Sequence, residues 1–393
     1  MNKNVLIIHI IILCILCGCS SDTDQKNNEV PLKKLSAEYT GINFINSITP
    51  NLESSENLFD YDYFYNGSGV GIADINNDGL KDIIFTANQE ENKLYLNKGN
   101  LKFEDISEKS NINTQNKNWS SGVTFADVNN DGWLDIYISQ GGPYESSSRV
   151  NLLLINNQDL TFSEKAEEYG LDDNGISTQS AFFDFDKDGD LDCIVMNENE
   201  FFGYDPTTFF KRIYHNKTIL MQNSSHLYEQ IDGKFINVTE KAGLLSPTFG
   251  LGLCISDING DNWPDIYIAN DYYVKDAMYI NNQNGTFTNQ IQESTKQISF
   301  YGMGVDIEDI NNDNLSDILV LDMASSDHVR SKTLMASMNT SNFDLITNKL
   351  DQHYQYMFNS LQLNLGNNKY HNISHQLNIA KTDWSWAGLI FDY

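Results

Sequence analysis

Asp74, Asn76, Asp78 and Asp82 occupy positions 1, 3, 5 and 9 of one short loop, with Leu80 at position 7. Oxygens on that spacing suit a hard cation. Calcium takes six to eight oxygen ligands at roughly 2.3–2.6 Å, and carboxylates, amides and a backbone carbonyl at position 7 can supply them. The loop then runs into Ile83-Ile84-Phe85, an apolar run of strand character. The chemistry therefore predicts a cation held at the tip of a β-hairpin.

The pattern recurs four times. The second loop has Asp127, Asn129, Asp131, Trp133 and Asp135, and the third has Asp184, Asp186, Asp188, Asp190 and Asp192. The fourth has Asp257, Asn259, Asp261, Trp263 and Asp265, and the fifth has Asp309, Asn311, Asp313, Leu315 and Asp317. At position 7 (Leu80, Trp133, Asp190, Trp263, Leu315) the ligand is expected to be the backbone carbonyl. Position 6 must turn sharply. Gly79, Gly132 and Gly189 suit a positive φ, and Asn262 and Asn314 are the side-chain residues that tolerate it best. An EF-hand needs a bidentate Glu at position 12 and flanking helices. Here position 12 is Phe85, Ile138, Val195, Ile268 or Val320, all in strand-like runs, which excludes it. An Asx-rich turn without metal explains one such loop but not five copies of one oxygen pattern. About five structural Ca2+ ions are expected, each tying a hairpin.

The elements that must position these loops repeat as well. Starting at Asp74, Asp127, Asp184, Asp257 and Asp309, the loops are 53, 57, 73 and 52 residues apart. A Gly-rich or apolar strand precedes each loop and a β-branched strand follows it. A second hairpin comes next, as in NKLYLNKGNLKFED from Asn92 and DAMYINNQNGTFTN from Asp276. Four strands at this period are the mark of a propeller blade. The fold class expected is all-β: a β-propeller of four-stranded blades with calcium-binding hairpin loops, an incomplete ring and one helical insertion near the C-terminus. The propeller is placed at 40–393 and the insertion at about 327–358, where apolar residues from Val329 to Leu350 fall near helical spacing. Trp384 to Asp392 repeats the strand that precedes each loop, so a truncated sixth repeat is expected.

The chain has 393 residues and a formal charge of -29, which argues against a nucleic-acid partner. Hydrophobic residues make up 40%, enough for a sizeable core. Val5 to Cys17 is an apolar segment too short to span a bilayer, preceded by Lys3. Cys193 and Cys254 each lie in an apolar run beside an Asp loop, and free buried thiols are expected.

Leu16-Cys17-Gly18-Cys19 resembles the lipobox of bacterial lipoproteins. That resemblance implies a signal peptide over 1–18, lipid on Cys19, a tether over 19–39 and anchoring in the outer membrane of a Gram-negative cell. The Asp loops, with FGLG at Phe249 and YGMG at Tyr301, resemble FG-GAP (VCBS-type) repeats of bacterial surface proteins and the integrin α-subunit propeller. YNGSGVGIADINNDGLKDIIFTAN and TDWSWAGLIFD are similar to long bacterial lipoproteins that often end in an ASPIC/UnbV domain. The resemblance implies calcium and a propeller of about seven blades, and it is weak for function.

Two insertions break the period. Phe201 to Gln230 is crowded with aromatics, which either pack on a blade edge or present a platform for sugar or protein. No HExxH, GxSxG or phosphate loop is present, and no catalytic residue is assigned. The expected function is a cell-surface binding or adhesion module for glycan or protein ligands. Two alternatives stand beside it: a polysaccharide-active enzyme, and a structural part of an outer-membrane uptake complex. An exposed carboxylate pair beside the aromatic insertion would favour the enzyme.

Overall fold

A computed structural model describes residues 33–113, 119–333 and 340–391. Cys19, Leu334, Met335, Met338 and Asp392 lie outside the described residues. The chain divides into two units, 1–40 and 41–393. In the first, the described residues carry one helical turn, Ala37–Thr40.

Five four-stranded antiparallel sheets follow one another along the chain. The first contains β1 (Val70–Ala73), β2 (Asp82–Phe85), β3 (Lys93–Asn97) and β4 (Phe103–Asp105). The second contains β5 (Ser120–Ala126), β6 (Asp135–Gln140), β7 (Leu152–Asn156) and β8 (Phe162–Glu164). The third contains β9 (Ser177–Phe183), β10 (Asp192–Asn197), β11 (His226–Ile231) and β12 (Lys234–Asn237). The fourth contains β13 (Gly250–Ser256), β14 (Asp265–Asn270), β15 (Ala277–Asn281) and β16 (Phe287–Asn289). After the short β17 (Ile298–Ser299) come β18 (Gly304–Glu308) and β19 (Asp317–Leu321) of the fifth. β20 (Met323–Ala324) and β21 (Gln355–Tyr356) intervene before β22 (Ser360–Asn364) and β23 (Tyr370–Asn372) complete it. Each is an up-and-down meander, as the paired hairpins predict.

The first strands of successive sheets lie side by side in chain order, β1 on β5, β5 on β9, β9 on β13 and β13 on β18. This explains their glycines. A Cβ on Gly252 would stand 2.9 Å from the Gly304 Cα, so backbone packs on backbone. Hydroxyls tie the same strands together. Thr86 Oγ1 donates to Ser121 O at 2.6 Å, Ser121 Oγ to Ser177 O at 2.6 Å, and Thr178 Oγ1 to Gly250 O at 2.9 Å. Apolar side chains fill the space between neighbouring sheets. Ile84, Leu94, Ile138 and Phe162 join the first two, and Ile194, Leu227, Ile266 and Tyr279 join the third and fourth.

The arrangement is propeller-like, and no closed ring forms among the described residues. On β1, Val70 and Ile72 are exposed. Past the fifth sheet, Trp386 takes up the position against Gly304 that Gly304 holds against Gly252. Only Asp383–Trp384 of that stretch is a strand, β24, and it pairs with β20. Within 327–358 the described residues hold the short α-helices Arg330–Thr333 and Thr340–Asp344 and the π-helix Leu345–Lys349, then β21, which pairs in parallel with β17. Cys193 is buried, Cys254 half-buried, and both are free thiols.

Candidate functional site

The five Asp loops all join the first strand of a sheet to its second. Each is an Asx-rich turn with the same internal bonds. Position 1 accepts from the backbone amide at position 6: Asp74 from Gly79 at 2.8 Å, Asp127 from Gly132 at 2.7 Å, Asp184 from Gly189 at 3.2 Å. Asp257 accepts from Asn262, and Asp309 from Asn314, both at 2.7 Å. Position 3 (Asn76, Asn129, Asp186, Asn259, Asn311) accepts from the position 5 amide. Position 5 (Asp78, Asp131, Asp188, Asp261, Asp313) accepts from the amide of Leu80, Trp133, Asp190, Trp263 or Leu315. Position 6 has positive φ in every loop, from 64° at Asn314 to 103° at Gly189. Position 4 does too, at Asn77, Asn130, Lys187, Gly260 and Asn312.

Position 9 behaves differently. Asp82, Asp135, Asp192, Asp265 and Asp317 are fully buried. One oxygen accepts from the amide at position 2: Ile75, Val128, Phe185, Ile258 or Ile310. The other accepts from an amide at or next to the end of the sheet's third strand: Asn97, Asn156, Gln230, Asn281 or Asn364, at 2.7–2.8 Å. That Asn or Gln donates its own side-chain amide to the position 8 carbonyl. Asn156 and Asn281 also reach the preceding sheet, at Ile75 O and Phe185 O. Position 9 is thus a knot joining loop and second hairpin, extended to the preceding sheet through its Asn partner in the second and fourth sheets. Burial raises its carboxyl pKa against those amide bonds, to about 6 at Asp135 and about 7 at Asp192 and Asp265.

The third loop fits a cation best. One oxygen each from Asp184, Asp186 and Asp188 lies within 4.8 Å of the others. Asp184 Oδ1 and Asp190 Oδ1 are buried and have no hydrogen-bond partner among the described residues. Burial, then the neighbouring Asp188, lifts the Asp190 carboxyl to about 6. Adjacent loops touch, with Asn77 Nδ2 donating to Gly132 O at 3.0 Å and Lys187 Nζ 4.7 Å from the Trp263 ring.

The opposite end of the sheets is irregular. Residues 57–66 fold into it and bury Tyr61, Tyr63 and Phe64 against Trp119 and Ile176. Tyr61 Oη donates to Glu198 at 3.1 Å and Tyr63 Oη to Asp271 at 3.0 Å. Burial pushes the Glu198 carboxyl well above its ordinary range and Asp271 to about 7. In the aromatic insertion, the helix Pro206–Ile213 is capped by Asp205 and buries Phe209, Phe210 and Ile213 beside Phe249 and Tyr273. These aromatics pack on the blade edge.

Beside them lies a cavity of about 670 Å³. Arg149 donates from Nη2 to Glu200 at 2.7 Å and from Nη1 to Tyr144 O at 2.8 Å. His226 Nδ1 meets Asp173 at 2.5 Å, its Nε2 meets Met221 O at 2.8 Å, and Tyr228 Oη donates to Asp173 at 2.7 Å. Burial disfavours a charged imidazole, but the Asp173 carboxylate outweighs it and raises the His226 pKa. Both ring nitrogens face acceptors, an arrangement that favours the imidazolium. Sequence reasoning missed Arg149, Asp173 and His226. Their contacts span 51 and 53 residues and follow no period.

Residues 62–138 and 257–320 match the FG-GAP-like repeat model, spans that hold the first, second, fourth and fifth loops. No curated protein matches the chain in sequence. Among solved structures it is similar to an Agrocybe aegerita lectin described for specific recognition of non-reducing terminal N-acetylglucosamine. Identity is 15% and TM-score 0.39, over 77% of this chain and 64% of that one. It is also similar to the V. cholerae biofilm matrix protein Bap1, at 14% identity and TM-score 0.36, over 66% and 35%. BBS1N, solved in complex with ARL6DN, shows 9% identity and TM-score 0.35, over 64% and 61%. The chain thus spans less than two thirds of each.

Proposed function

We propose that this chain is a propeller-type binding module of the cell surface, stabilised by calcium in its Asp loops and held to the outer membrane by lipid on Cys19. The observation that carries the reading is the fivefold recurrence of one oxygen-rich loop on one sheet design, opposite an end where the connections from second to third strand all differ in length. Repeated loops suit a scaffold role, and varied loops on a rigid frame suit recognition. The unpartnered oxygens of Asp184 and Asp190 support a cation in the third loop. In the other loops, carboxylate oxygens that accept one amide keep lone pairs for a cation. The matches to FG-GAP-like repeats fit the same reading.

Of the four carboxylates lining the cavity, Glu200 and Asp173 are committed to Arg149 and His226, which leaves the exposed Asp60 and Glu145 without an ion-pair partner among the described residues. The test is an array of surface glycans and proteins probed with the full chain in detergent, with calcium and with chelator. Calcium-dependent retention of a defined ligand supports the module. Turnover of a glycan without retention contradicts it. Cys19→Ser is expected to move the protein from the membrane to the soluble fraction, and equal partitioning of both forms would remove the lipid anchor.

A further inference from the structure

We propose that the cavity beside the aromatic insertion binds an uncharged sugar ring. The proposal rests on the binding-module reading above and names its site. At about 670 Å³ the cavity has the size of a small-ligand site. Two half-buried rings, Tyr144 and Phe202, line it. Each makes an edge-on ring contact that helps to fix it, Tyr144 with Trp119 at 6.3 Å and Phe202 with Tyr61 at 5.9 Å. A sugar's C–H face packs on such rings, as apolar groups do.

The polar groups are those a hydroxyl-rich ligand needs. Exposed Asn174 and Gln222 lie on the wall and offer both donors and acceptors. Glu200 keeps 42% of its side chain exposed while Arg149, with 7%, fixes its direction. An acceptor held by a buried guanidinium loses little freedom when a ligand arrives.

Charge decides the class of sugar. The cations lining the cavity, Arg149 and His226, are already paired with Glu200 and Asp173. Asp60 and Glu145 also line it, and neither has a salt-bridge partner among the described residues. The surplus is negative, so uronates and sialylated or sulfated sugars are repelled, while a neutral ring pays no such penalty.

The full chain in detergent and calcium would be titrated with methyl glucoside, methyl galactoside, methyl mannoside and glucuronate, read by saturation-transfer NMR and calorimetry. The expected result is saturable binding of at least one neutral glycoside, with glucuronate about tenfold weaker or more. Phe202→Ala and the exposed Asn174→Ala and Gln222→Ala should each weaken it by about tenfold, while Tyr65→Ala, outside the cavity, leaves it unchanged. Since Asn174 and Gln222 are exposed, their variants keep the fold even if Phe202→Ala does not. Neutral binding that ignores all three variants overturns the site and leaves the module reading standing. Tighter binding of glucuronate overturns the choice of an uncharged ligand. No glycoside binding overturns the proposal, and an equally blank array would bring down the module reading with it.

Discussion

At the loop end of the sheets one set of bonds recurs five times, while at the opposite end the connections from second to third strand differ in length and content from sheet to sheet. The loop end is polar and local. Its hydrogen bonds within each loop join residues two to seven apart, and a longer tie, from position 9 to the third strand, recurs in every sheet. The opposite end is built from distant pairs, such as Tyr61 with Glu198 and Tyr63 with Asp271, 137 and 208 residues apart. Stability that must be the same in every repeat is encoded in the repeat. Recognition, which needs one shape only, is encoded once.

This contrast can be broken at either end. The largest effect is expected at position 9. Asp265→Ala leaves the buried amides of Ile258 and Asn281 without acceptors, and each such loss costs about 1–3 kcal/mol. Urea unfolding should show a loss near the top of the combined range, whereas Asn259→Ala in the same loop should cost about 1 kcal/mol or less. Equal losses would mean position 9 is not the knot. Next comes Gly252→Val, which forces a side chain into the Gly304 backbone and should cost about 1–3 kcal/mol. A neutral result would deny direct backbone packing between sheets.

The pH response should be intermediate. Burial holds Asp135 near 6 and Asp192 and Asp265 near 7. With folded pKa values raised, the stability these groups contribute is complete below about pH 4 and is lost as pH rises through 6 to 7. In chelator the melting temperature should therefore fall between about pH 4 and 7, and a calcium ion, which would favour the ionised carboxylates, should reverse that slope. A melting temperature that rises with pH in chelator would contradict the assignment. The smallest effect is Asn262→Gly. It relieves a positive φ of 67° and should stabilise by about 0.5–1 kcal/mol, seen as a small upward shift in the urea midpoint.

The loop end was legible because its logic is local. Oxygen spacing gave the loops, and Gly or Asn at position 6 gave the turn. The paired hairpins gave all five four-stranded sheets. What escaped was the second task of position 9, although its partner stood in the repeated Leu-Tyr-x-Asn theme at Asn97 and Asn281. The helical segment near the C-terminus was legible only in part. Ile346 is buried, but Val329 is exposed, and Gln355–Tyr356 pairs as a strand with Ile298–Ser299. Helical spacing could not anticipate that long-range pairing. Arg149, Asp173 and His226 carried no signal at all, because only the stacking of sheets brings them to one cavity.

The most direct test is calorimetric titration of calcium into the chain from residue 27 onward, paired with thermal melts in calcium and in chelator. A calcium-stabilised scaffold predicts about five sites and a large fall in melting temperature on chelation. No heat of binding and superimposable melts would contradict it, leaving the Asp loops as hydrogen-bonded turns that hold the sheets without metal.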